Sequence, residues 1–113
     1  MDSNLVDIAQ FHDLDIRVGT VLSARNHPTA RKPSIILEID FGPLGVKQSS
    51  AQIRKRYQAE ELTGSQVIAL TNLPPLKVAD VVSQCLVLGI LGEEGDVTLL
   101  RPDSPTPPGA KIA

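Results

Sequence analysis

Val46-Lys47-Gln48-Ser49-Ser50-Ala51-Gln52-Ile53-Arg54-Lys55-Arg56-Tyr57 carries four basic side chains and no acidic one, and its pattern changes midway. The first residues read as extended. From Ser49 onward, a serine with Gln52 three places later forms a capping-box pair, in which each side chain satisfies the other's unpaired backbone N–H. A short helix is therefore predicted to begin just after Ser49. Ile53 and Tyr57 then fall four apart on one helical face and dock on a core, while Arg54, Lys55 and Arg56 fan towards solvent. The rest of the chain has to be arranged around a strand that gives way to a short helix.

Working back from this stretch, residues 34–41 alternate, with Ile35, Leu37, Ile39 and Phe41 facing inward and Glu38 and Asp40 outward. The turn Gly42-Pro43-Leu44-Gly45 returns the chain into Val46, so these two strands form a hairpin. Residues 26–33 contain Pro28 and Pro33 and read as a loop, with Arg31 and Lys32 in it. Residues 14–25 have period two. Ile16, Val18, Thr20, Leu22 and Ala24 lie on one side, and Arg17, Gly19, Val21, Ser23 and Arg25 on the other. This predicts a long half-buried strand with two arginines on its wet face and a bend or bulge at Gly19. Leu5, Ile8 and Phe11, at three-residue spacing, predict one or two helical turns lying on the body.

Working forward, Leu62-Thr63-Gly64-Ser65 is a turn and residues 66–71 a fourth strand. Residues 72–84, punctuated by Pro74-Pro75, read as a long connection of the kind that tends to be functional. Cys85-Leu86-Val87-Leu88-Gly89-Ile90-Leu91 is nearly all apolar and predicts a strand covered on both faces, one cover coming from another subunit. Gly92-Glu93-Glu94-Gly95-Asp96 and residues 97–101 complete a hairpin. The tail has four prolines between residues 102 and 108 and is extended, with Gly109-Ala110-Lys111-Ile112 placed to pack back on the body. Three strands, a short helix and further strands, with a glycine in the long first strand, are the layout of an OB-fold. The fold expected is thus all-β, a five-stranded Greek-key barrel with a helix between strands three and four. An SH3-like barrel or another small sandwich does not need a helix at that point.

The 113 residues are room for one domain, residues 1–113, with a helical extension at 1–11 and a proline-rich one at 102–113. No apolar run approaches the roughly 20 residues that cross a bilayer. Met1-Asp2-Ser3-Asn4 lacks the start of a signal peptide, so a cytoplasmic location and no membrane insertion are expected. Cys85 is the single cysteine, which allows no internal disulfide and reads as a small core residue.

The chain is mildly acidic, with eleven Lys and Arg against thirteen Asp and Glu, but its charge is unevenly spread. Residues 17–57 hold eight basic side chains (Arg17, Arg25, Arg31, Lys32, Lys47, Arg54, Lys55, Arg56) against Glu38 and Asp40, a net of +6, so the remainder carries −8. A fold that gathers the positive segment on one face presents a field that attracts phosphates.

Leu14-Asp15-Ile16-Arg17-Val18-Gly19-Thr20-Val21, His27-Pro28, Lys47-Gln48-Ser49-Ser50-Ala51-Gln52-Ile53, Lys55-Arg56-Tyr57 and Asn72-Leu73-Pro74-Pro75 with Ser83 together resemble the CsaA proteins. These are a branch of the tRNA-binding-domain group found appended to methionyl-tRNA synthetases. The resemblance runs from about Phe11 to the C-terminus, and its most specific part is the Lys-Gln-Ser-Ser-Ala-Gln-Ile string. It implies an OB-fold, a homodimer formed partly through the terminal segments, no enzymatic activity, binding of tRNA-like RNA, and chaperoning of unfolded preproteins bound for export. By resemblance Lys32 matches a basic residue of the loop after strand one, and Asn72 and Ser83 match polar positions used for RNA contact. Pro33-Ser34 and Cys85-Leu86 depart from the Leu-Tyr and Gly-Met of many relatives.

Two functions compete. As a binder of tRNA or another structured RNA, the chain would neutralise phosphates with Arg17, Arg31, Lys32, Lys47, Arg54, Lys55 and Arg56, with Gln48, Ser49, Asn72 and Ser83 as hydrogen-bonding groups. Phe11, Phe41 and Tyr57 are the only aromatics. OB-folds grip single strands by stacking bases on such rings, so recognition of shape and backbone is expected instead. As a chaperone, it would hold unfolded preprotein segments on the apolar connection, with Leu73, Pro74, Pro75, Leu76 and Val81 as contacts. An enzyme has little support. His12, Asp13 and Asp15 alternate along an extended chain and split between faces rather than forming a metal site. Ser49 and Ser50 have no adjacent base, and there is no phosphate-binding glycine loop and no CxxC pair. No cofactor is expected.

Overall fold

A computed structural model describes residues 4–113, so the first three residues of the expected N-terminal extension lie outside the described residues. A short helix α1 (Ile8–His12) precedes nine strands: β1 (Ile16–Asn26), β2 (Ile35–Asp40), β3 (Val46–Ala51), β4 (Gln66–Leu70), β5 (Leu76–Val78), β6 (Val81–Ser83), β7 (Leu86–Val87), β8 (Gly89–Leu91) and β9 (Val97–Leu99). The main sheet is antiparallel in the order β3-β2-β1-β4-β7. It curls into a nearly closed five-stranded barrel, the all-β OB-type architecture expected. Two small ladders, β5-β6 and β8-β9, complete the described strands, with β6 lying against β3.

The core is built on β2. Ile35, Leu37, Ile39 and Phe41 are fully buried, as their alternation requires, and Leu62, Val67, Ala69 and Ile53 pack with them. The hairpin with β3 is in place, Ile35 opposite Ala51 and Asp40 opposite Val46. β1 departs from the simple alternation. A bulge between Val21 and Ser23 inserts one residue against β2, which resets which side faces in. Gly19 and Val21 face the core and Leu22 is exposed, the reverse of the parity expected, while beyond the bulge Ala24 packs on the core, as expected. Gly19 is not the bulge. A Cβ there would stand 2.3 Å from Ile39 Cγ2 and 2.7 Å from Phe41 Cε1, so glycine lets the two strands' core side chains close over its backbone.

Four further expectations change. No helix follows Ser49: β3 runs through Ala51, with Ser49 opposite Leu37 and Ser50 opposite Ile36. The outer edge of β3 is also satisfied, since Ser50 N–H donates to Ser83 Oγ (2.8 Å) and Gln48 N–H to Gln84 Oε1 (2.9 Å). Backbone groups taken up by a ladder need no capping box, so the long-range pairing overrides the local signal. Ile53 to Tyr57 form one hydrogen-bonded turn (Tyr57 N–H to Ile53 O, 3.0 Å), and a 3₁₀ turn follows at Ala59–Glu61 with its own capping box from Gln58 and Glu61.

α1 exists, capped by Asp7 and Gln10, but it does not lie buried on the body: Leu5 and Ile8 are exposed and only Phe11 is half-buried. Residues 72–84 are no plain connection, since they contain the β5-β6 hairpin, which turns tightly at Ala79 (φ +55°) and Asp80. The apolar run 85–91 splits into β7 and β8 instead of one covered strand, with Leu86, Ile90 and Leu91 exposed.

The tail does pack back. Gly109 N–H donates to Val18 O (2.7 Å), Val18 N–H to Ala110 O (2.9 Å) and Ile112 N–H to Ile16 O (2.9 Å). It occupies the stretch of β1 that β2, whose pairing starts at Thr20, leaves open.

Candidate nucleic-acid interface and an adjoining apolar groove

The turn after β3 divides its cations by use. Lys55, Arg56 and Tyr57, consecutive in sequence, all hold the β8-β9 hairpin. Lys55 Nζ donates to the Glu94 carbonyl (2.9 Å) at the hairpin tip, Arg56 makes two bonds to the Asp96 carboxylate (2.9 and 2.6 Å), and the Leu99 N–H donates to Tyr57 Oη (3.0 Å). The Arg56 guanidinium keeps the Asp96 carboxyl below the usual carboxylate range, and Asp96 in turn raises Arg56. Arg54 is in no such contact. It lines a pocket of about 560 Å³ with Lys32, Pro33, Gln52, Lys55, Glu94 and Gly95. The turn and the loop after β1 thus bring Lys32 and Arg54, 22 residues apart in sequence, to one pocket.

The remaining predicted phosphate ligands are spread. Arg17 is half-buried, paired with Asp15 (2.6 Å) and bonded to the Gly109 carbonyl (3.0 Å), so it ties the tail to β1. The Arg17 hydrogen bond holds the Asp15 carboxyl below its usual range. Arg31 is exposed in the loop after β1, and Lys47 is half-buried on β3. The predicted hydrogen-bonding groups serve the fold. Asn72 uses both ends of its amide, Oδ1 accepting from Asp15 N–H (2.9 Å) and Nδ2 donating to Asp13 O (2.8 Å). Gln48 donates to Val82 O (3.2 Å), Ser83 receives the Ser50 N–H, and Ser49 is buried.

Across Gln52 from the cationic pocket runs an apolar groove of about 510 Å³ between β3, the β5-β6 hairpin and β7 to β9. Leu73, Pro74 and Leu76 of the predicted peptide contacts line it, while Pro75 is exposed away from it and Val81 is buried. Leu86, Leu88, Leu91 and Val97 also line it. Sequence reading missed the three leucines because it expected the run 85–91 to be covered. Ser50 Oγ, buried in the groove wall, has no hydrogen-bond partner. Cys85 is at its floor, and burial pushes its thiol up to about 11, so it stays protonated and unreactive at neutral pH. The loop carrying Lys32 is tied to the β5-β6 turn by Thr29, whose hydroxyl donates to Asp80 (2.8 Å).

A small OB-type barrel with a cationic pocket and an apolar groove meeting at Gln52 defines the class of protein, a small all-β domain with two adjoining concave surfaces. Among the described residues no helix is long and apolar enough to cross a bilayer. Among the described residues no group of His, Cys, Asp and Glu is placed to hold a metal. The profile of the putative tRNA binding domain family matches residues 16–111. The chaperone CsaA of Bacillus anthracis is 51% identical in sequence and superposes with a TM-score of 0.93, over 96% of this chain and 99% of that one. The CsaA chaperone protein of Picrophilus torridus is 39% identical with a TM-score of 0.89, over 96% of this chain and 100% of that one. A methionine–tRNA ligase of Methanothrix thermoacetophila is 39% identical over 108 residues, 96% of this chain but 16% of the ligase. The chain spans about one sixth of the length of such curated relatives. The chain belongs to the tRNA-binding-domain family, on the side of the CsaA proteins.

Proposed function

We propose that the protein is a non-catalytic, homodimeric, cytoplasmic module, one domain over residues 1–113, that binds tRNA or a similarly structured RNA through the face around Lys32 and Arg54. The observation that carries this reading is that these two cations share a pocket and neither has a carboxylate partner among the described residues. Arg31, exposed and next to Lys32 in the loop after β1, adds to this positive charge, whereas Arg17 and Arg56 are already neutralised by Asp15 and Asp96. The pocket has no aromatic wall, which favours contact with phosphates of a folded RNA over stacking of unpaired bases.

A gel-shift titration with purified tRNA at two salt concentrations tests it. Affinity is expected to fall by roughly tenfold or more between 50 and 200 mM salt, as for any site that neutralises several phosphates. Lys32→Ala and Arg54→Ala should each weaken binding and flatten the salt slope by about one. An affinity indifferent to salt and to both substitutions would remove the reading.

The groove supports a second reading, a chaperone that holds apolar segments of unfolded preproteins. Its favouring observation is the aliphatic lining left open beside the cations, together with the kinship to proteins described as CsaA chaperones.

A further inference from the structure

The apolar groove and the cationic pocket meet at Gln52, the one side chain that lines both. A ligand lying along the groove past Gln52 therefore leaves an aliphatic surface and comes against Lys32 and Arg54. The aliphatic side is open to solvent: Leu76 is 65% and Leu91 86% exposed. No aromatic ring lines either compartment, which disfavours a nucleobase as the groove's occupant. Ser50 Oγ, buried in the wall without a partner, provides a donor and acceptor among a mostly aliphatic lining. An extended polypeptide has what such a wall lacks, a main-chain amide beside aliphatic side chains.

Resting on the reading of the groove as a polypeptide site, we propose that its preferred occupant is an extended segment with an aliphatic run bordered by an acidic residue. The aliphatic side chains lie against Leu73, Leu76 and Leu86, and a main-chain amide meets Ser50. The carboxylate reaches past Gln52 to Lys32 and Arg54, which have no competing ion pair among the described residues. Glu94, also on the pocket rim, lies 4.0 Å from Lys55 Nζ. Lys55 shields that one opposing charge, and the pocket stays net positive. A segment bordered by lysine or arginine on that side meets like charges and is disfavoured. The basic start of a secretory leader would thus have to point away from this pocket, and acid-flanked apolar segments from elsewhere in a client chain would fit better.

The experiment is fluorescence anisotropy with three labelled decapeptides that share one Leu/Val run and end in Asp-Asp, Ser-Ser or Lys-Lys. The Asp-Asp peptide is expected to bind about tenfold tighter than the Lys-Lys peptide at low salt, since two rim charges change sign, with the gap narrowing as salt is added. The double charge reversal Lys32→Glu with Arg54→Glu should invert the order. Leu76→Asp and, as a second exposed position, Leu91→Asp should weaken all three, with unchanged circular dichroism showing that the fold is intact. Equal binding of the three peptides overturns the charge rule and leaves the groove reading standing. Failure of every peptide to bind overturns both. In that case, loss of tRNA binding in Leu76→Asp assigns the groove to RNA, and a change of mass in that variant assigns it to a second copy of the chain.

Discussion

Gly19 is placed by two side chains of the core. The space its Cβ would fill is occupied by Ile39 Cγ2 and an edge of Phe41, both on fully buried residues that cannot swing out. Gly19→Ala is expected to destabilise the fold by about 1–3 kcal/mol, as overpacking of a tight core does. It should show as a lower urea midpoint with an unchanged slope, and a midpoint equal to the parent's would refute the packing account. At this scale the sequence was partly legible. It marked Gly19 as a special position but not why, since the two atoms that crowd it come from another strand. Asn72 was read as a surface contact, yet its amide joins the start of β1 to the end of β4, a role that only the pairing of those strands creates.

Among the elements, the β8-β9 hairpin depends most on its clasp. It is three residues a side, its apolar face is largely exposed, and Lys55, Arg56 and Tyr57 hold it to the turn after β3. The Arg56 bond to Asp96 is sensitive to acid. Because Asp96 titrates lower in the folded protein than when unfolded, the clasp is complete above the ordinary carboxylate range, near pH 4, and is lost as pH falls through the lowered value. Amide exchange of residues 91–97 should therefore quicken, relative to the β2 amides, between pH 5 and pH 2.5 after correction for intrinsic rates. Asp96→Asn should show the loosened hairpin already at pH 6. Equal protection in parent and variant at pH 6 would mean that the clasp does not hold the hairpin. The hairpin itself was legible from Gly92 to Asp96. Its clasp was not, because a basic triplet looks the same in sequence whether it meets carboxylates or solvent.

For the whole molecule, the surplus of +6 over residues 17–57 is reduced where the fold brings in carboxylates from outside that segment, Asp15 to Arg17 and Asp96 to Arg56. Lys32 and Arg54 are left to act outward. A second unbalanced surface is apolar. Leu5, Val6 and Ile8 are 75%, 75% and 67% exposed around α1, a capped helix with no buried residue. Isolated helices this short are marginal in water, so α1 needs a surface to lie on. The proposed dimer provides one, and sedimentation equilibrium should give twice the 12.1 kDa of the chain. Leu5→Ser with Ile8→Ser should shift the mass to that of one chain with the barrel intact. A monomeric parent at micromolar concentration would remove the dimer.

The barrel, its central hairpin and its buried face were determined by the sequence alone, because period-two alternation and turn residues are local and survive any tertiary arrangement. The tertiary structure decided the rest: the extension of β3 through the expected helix start, the bulge that brings Ala24 to the core, the division of one basic run between a clasp and an open pocket, and the groove beside it. Each of these is settled by a partner on another strand or loop. Which hydrogen bond, ion pair or cavity a side chain joins depends on which strand the fold sets against it, and that information is absent from any short window of the chain.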